Sequence, residues 1–89
     1  MLKQTLTIVN KLGLHARAAA KLVKLASTFE CEVQVKRKQR EVNGKSIMGV
    51  MLLAAGKGTE IEVTVDGTDE TSAMAQLIEL IQSGFGEEE

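Results

Sequence analysis

Residues 60–81, EIEVTVDGTDETSAMAQLIELI, hold two different periods in one short stretch. Ile61, Val63 and Val65 alternate with Glu60, Glu62 and Thr64, the pattern of a strand with one buried face. Asp66-Gly67 turns the chain, and Thr68 or Asp69 starts a helix. In that helix Met74, Leu77, Ile78 and Ile81 form the apolar stripe, and Gly84 fits the position just past its end. A half-buried strand followed by an amphipathic helix points to a sheet with helices laid on one face.

The same two periods recur upstream. Thr5-Leu6-Thr7-Ile8 alternates, so residues 2–9 read as a strand. Ala19, Leu22, Val23 and Ala26 mark one face of a helix over 16–27. Cys31, Val33 and Val35 predict a second strand, and Arg40 to Val42 or Asn43 a short third one paired with it across a basic turn. Asn43-Gly44 breaks the pattern, Ser46 can cap a short helix from Ile47 to about Leu53, and Gly56-Lys57-Gly58 is a turn. The order β-α-β-β-α-β-α implies an α+β fold, with one antiparallel sheet, helices on one face and the other face wet. Periodicity alone leaves the strand order open.

Composition narrows the class. The 89 residues fit one domain, 1–89. Hydrophobic residues make up 44% and aromatics 2%, so the core must be aliphatic. Cys31 is alone and reads as a small buried hydrophobe in a reducing compartment. No apolar run reaches membrane-spanning length and no signal-peptide pattern is present, which leads to the expectation of a cytoplasmic protein without membrane insertion. A net charge of −1 argues against nucleic acid as a partner. Lys36, Arg37, Lys38 and Arg40 read as a solvated hairpin tip, and Glu87, Glu88 and Glu89 as a frayed acidic tail.

The chemistry points to residues 13–20, GLHARAAA, which contain the only histidine. A lone histidine usually has no chemical role. Here Gly13 allows an unusual backbone just before it, and His15 falls near the start of a helix. The open amides of a first turn and the positive end of the helix dipole favour an anion there. Arg17 adds a planar cationic fork suited to phosphate. Imidazole is a good nucleophile near neutrality, so the site suits transient phosphorylation of His15. With one imidazole and one thiol, the expectation is no metal and no cofactor.

Gly44-Lys45-Ser46 mimics the end of a phosphate-binding loop. The leading glycine of that motif is replaced by Gln39, however, and a hairpin precedes it, so nucleotide binding is rejected. Ser46 reads as a helix cap at which an added phosphate would meet a helix N-terminus. Ile47, Met48 and Met51 read as a mixture of core and exposed patch, with Met48 pointing outward.

The stretches GLHARAAAKLV and VNGKSIMGVMLLAAGKGTEIEV resemble HPr, the histidine-containing phosphocarrier of the bacterial phosphoenolpyruvate phosphotransferase system, and the resemblance spans essentially the whole chain. It implies an open-faced β-sandwich: a four-stranded antiparallel sheet in order 1-4-2-3 under three helices. It implies a phosphoryl carrier in sugar transport or regulation, not an enzyme, with His15 phosphorylated on Nδ1 (the pros nitrogen), Arg17 assisting transfer and the backbone of Ala16 and Arg17 contacting the phosphate. Ser46 would be the regulatory serine of an HPr kinase/phosphorylase. Enzyme I would be the donor and an enzyme IIA domain the acceptor, meeting a monomer at Leu14, Lys24, Lys45, Ile47, Met48 and Met51. Ala18 departs from the proline frequent after the family's arginine; proline there would stiffen the first turn. The competing class is a ferredoxin-like module that binds a metabolite as a dimer and has no need of His15.

Overall fold

A computed structural model describes residues 1–87. Its elements run β1 (Leu2–Thr7), α1 (Ala16–Ala26), β2 (Glu32–Arg37), β3 (Arg40–Asn43), α2 (Ile47–Leu52), β4 (Glu60–Asp66), α3 (Glu70–Gln82) and a 3-10 turn, Gly84–Gly86. The strands form one antiparallel sheet in the order β1-β4-β2-β3, as the resemblance implied. β4 lies at the centre because both its edges are paired: Leu6 stands opposite Ile61 on one side and Val35 opposite Val63 on the other. The ferredoxin-like alternative places its first strand inside the sheet, whereas β1 here is an edge.

Alternation decides which face is covered. Val33, Val35, Ile61, Val63 and Val65 are buried, together with Leu22 of α1, Val50 of α2 and Leu77 and Ile81 of α3. Each such side chain stabilises the fold by about 1.5–3 kcal/mol through removal from water. Cys31 is buried as expected, although it precedes β2 instead of lying within it. No helix among the described residues is long and apolar enough to cross a membrane.

β1 ends two residues before the expected boundary. The segment after it still pairs with the chain, since Ile8 N–H donates to Thr59 O at 2.9 Å and Gly58 N–H to Ile8 O at 2.8 Å. The basic hairpin departs from a solvated tip. Arg37 Nη1 donates to Leu53 O at 3.1 Å and Arg40 Nη1 to Leu52 O at 3.4 Å, so two guanidinium groups meet the carbonyls that end α2.

Asp69 stands just before α3 but makes no side-chain bond to that helix. Its carboxylate accepts from Glu30 N–H at 2.8 Å and Cys31 N–H at 2.9 Å, joining the α3 entry to the start of β2. The Glu30 amide, followed by the Cys31 groups, holds this carboxyl below its ordinary value of 3.8. Because the folded value is depressed, the stabilisation is complete above pH 3.8 and is lost as the pH falls through the lower folded value. Urea unfolding across that acid range should show Asp69→Asn less stable than wild type at neutral pH. The difference should shrink toward zero below the folded value.

Candidate functional site

His15 is the residue just before α1, with extended backbone angles and no side-chain bond to its own helix. The first bond at the helix entrance runs from Ala19 N–H to His15 O at 2.8 Å. The amides of Ala16, Arg17 and Ala18 therefore have no acceptor within the helix. No acidic side chain occupies the first turn, so the positive end of the dipole is unopposed by α1 itself.

The loop ahead of His15 is fixed by backbone geometry. Gly13 takes a left-handed φ of +67°, and a Cβ there would lie 2.4 Å from Ala55 O. Leu14 N–H donates to the same Ala55 oxygen at 2.8 Å. Only glycine permits this close approach, which sets the direction in which His15 leaves the loop.

His15, Ala16 and Arg17 line an open cleft of about 890 Å³ together with Lys11, Leu12, Lys21, Gly86 and Glu87. Arg17 is exposed and makes no ion pair or hydrogen bond with the described residues, so its guanidinium can meet an incoming anion. Lys21 Nζ is spent on Phe85 O at 2.7 Å. The other large concavity, about 760 Å³, lies on the uncovered side near Thr5, Lys36 and Glu62 and contains neither the histidine nor the thiol. No cluster able to hold a metal occurs among the described residues.

Glu87 overturns the expectation of a frayed tail. Its Oε2 lies 2.5 Å from His15 Nε2, and its Oε1 accepts from Asn10 Nδ2 at 2.8 Å. The Asn10 bond first, and then the bond and charge of His15, hold the Glu87 carboxyl below the usual glutamate range. Glu88 and Glu89 lie outside the described residues. Asn10 and Glu87 are the residues beside His15 that the sequence reading did not bring to the site. A possible signal was Phe85, one of only two aromatics in the chain, flanked by glycines: it is buried and anchors the segment that carries Glu87.

Ser46 caps α2, its Oγ accepting from Gly49 N–H at 3.2 Å. Such a cap is worth about 1 kcal/mol. Gly44 N–H donates to Val33 O at 2.7 Å and so is not free to cradle phosphate, in keeping with the rejected nucleotide loop. Ile47, Met48 and Met51 are 44%, 78% and 43% exposed. The expected mixture is thus corrected: all three face outward, Met48 most, because Val50 alone fills the buried face of this one short helix. Leu52, 61% exposed, extends the patch.

Two residues expected at a partner surface are placed differently. Leu14 is only 5% exposed and belongs to the core, because the Gly13 turn aims it inward; it offers no contact surface. Lys45 is half-buried, with Nζ donating to Phe29 O at 2.7 Å. Lys24 is exposed in the last turn of α1.

Comparisons with known proteins bear on the family and the fold. A family profile described as "PTS HPr component phosphorylation site" matches residues 2–83. The chain is 57% identical over 89 residues to the phosphocarrier protein HPr of Neisseria meningitidis serogroup A, covering all of both chains. It is 57% identical over 88 residues to that of Xylella fastidiosa strain Temecula1, covering 99% of each. The structure superimposes on HPr-C-His from Thermoanaerobacter tengcongensis with a TM-score of 0.96 at 44% identity, covering 100% of both. It also matches the HPr dimer of that organism, with a TM-score of 0.79 at 44% identity over 98% of this chain and 100% of that one.

Proposed function

The chain belongs to the HPr family of phosphocarrier proteins of the phosphotransferase system, and on that premise we propose that His15 accepts a phosphoryl group from Enzyme I and yields it to a histidine of an enzyme IIA domain. The observation that carries this reading is the chain's single imidazole standing at the open amides of α1, beside an Arg17 that has no partner among the described residues. The His15 Nδ1 lone pair attacks phosphorus in line. A new N–P bond forms as the donor's N–P bond breaks, and the bonding pair returns to the donor ring. The amides of Ala16 and Arg17 and the Arg17 fork meet the charge on the transferring oxygens. Catalysis of this kind is positioning and charge stabilisation, with no protein bond broken except P–N.

The carrier works as a cytoplasmic monomer, and its partners dock on the patch of Ile47, Met48, Met51 and Leu52 beside Lys24. The test is incubation with phosphoenolpyruvate and Enzyme I, which should give an acid-labile mass increase. Label stable to acid would refute the reading.

Ser46 supports a regulatory reading, with an HPr kinase/phosphorylase as its enzyme. Its hydroxyl stands directly before the exposed Ile47 and Met48. A dianion there favours the amides of α2 but charges the rim of an apolar docking patch, where removal from water is costly. Ser46→Asp should lower the rate of transfer from Enzyme I about tenfold or more, because the patch must be desolvated on docking, while the circular dichroism spectrum stays the same. Equal rates for the two proteins would count against regulation at this residue.

A further inference from the structure

We propose that Glu87 is a positioning residue for His15: its carboxylate takes the Nε2 hydrogen and so leaves the lone pair of the neutral ring on Nδ1. This rests on the phosphocarrier reading above and adds what selects the reacting nitrogen.

The contact is built from both ends of the chain. Asn10 is 1% exposed, and its Nδ2 donates at 2.8 Å both to Gly13 O, in the loop that aims His15, and to Glu87 Oε1. One buried amide thus sets the distance between the histidine loop and the carboxylate. Phe85 fixes the other side. It is buried in the core, takes a left-handed φ of +61°, and accepts from Lys21 Nζ through its carbonyl at 2.7 Å. With both flanks held, the second carboxylate oxygen meets Nε2 at 2.5 Å.

The chemistry follows from donor and acceptor roles. An ionised carboxylate only accepts, and Glu87 is held on the ionised side by Asn10. Nε2 must therefore carry the hydrogen, and in the neutral ring Nδ1 carries the lone pair. Among the described residues Nδ1 has no hydrogen-bond partner. On phosphorylation the Nδ1 pair forms the N–P bond and Nε2 keeps its hydrogen. On transfer onward the N–P bond breaks, its pair returns to Nδ1, and the leaving group is neutral imidazole instead of imidazolate. No proton enters or leaves the ring in either direction.

Nitrogen-15 spectra of the His15 ring test this without any partner. In the wild type at about pH 8, Nε2 should be hydrogen-bearing and Nδ1 bare; Glu87→Ala should give a mixture of the two tautomers. With phosphorylated Enzyme I, Glu87→Ala should accept phosphate about tenfold more slowly at unchanged fold. Glu87→Gln, which retains an acceptor oxygen, should recover part of that loss. Unchanged ring signals and rates in Glu87→Ala, with His15 still phosphorylated, would overturn the positioning role and leave the carrier function intact. A wild-type protein that takes no phosphate would refute the carrier reading, and the ring spectra would still decide the role of Glu87.

Discussion

Replacing His15 by alanine should abolish acid-labile phosphoryl uptake while leaving the fold in place. The side chain is partly exposed, precedes α1, and makes no capping bond, so helix formation does not depend on it. Its loss frees one oxygen of Glu87, whose other oxygen stays bonded to Asn10, and removes nothing from the buried core. The chemical effect is complete because the chain has no second histidine to form a phosphoramidate. Cys31 cannot substitute: burial first, and then Asp69, pushes its thiol above the ordinary range. Mass spectrometry after incubation with phosphoenolpyruvate and Enzyme I should show no acid-labile increment in His15→Ala. An increment of wild-type size would place the acceptor elsewhere.

Gly13→Ala should produce the largest loss of stability among single substitutions near the site. Two costs combine. The left-handed φ of +67° disfavours any side chain, and the new Cβ would stand 2.4 Å from Ala55 O and 2.7 Å from Gly56 Cα. Both atoms are backbone, so no rotamer change relieves the contact. The loop must separate from residues 55–56, which also breaks the 2.8 Å bond from Leu14 N–H to Ala55 O and withdraws the buried Leu14 side chain. Together these cost about 2–4 kcal/mol. For a domain of this size that lowers the midpoint of thermal unfolding by about 10–25 °C. A midpoint within about 2 °C of wild type would show that the close approach is not required.

The sheet and helices were legible because strands and helices here keep strict periods. Ile61, Val63 and Val65 announce a covered face, and Met74, Leu77 and Ile81 announce what covers it. Strand order was not in the periods; it came from resemblance, since pairing partners leave no mark in local alternation. The placement of His15 and Arg17 at a helix entrance was legible because helix-entry signals act over a few residues. Asn10 and Glu87 were not, because their bond spans 77 positions and an acidic run ordinarily reads as solvated tail. Arg37 and Arg40 escaped for the same reason: a basic turn predicts solvent, while the carbonyls it meets belong to a helix formed later in the chain. Leu14 was placed at the partner surface by the resemblance, yet after the left-handed Gly13 it is buried in the core. Ala18, which the resemblance marked as a departure from proline, is fully buried and so contributes packing.

Phosphoryl transfer by this chain turns on one nitrogen atom, His15 Nδ1. Phosphorus-31 spectra of the nitrogen-15-labelled, phosphorylated protein report which atom holds the phosphoryl group. Attack by Nδ1 predicts a single phosphorus resonance coupled to that nitrogen. Coupling to Nε2, or a phosphorus bound to oxygen with no nitrogen coupling, would contradict it.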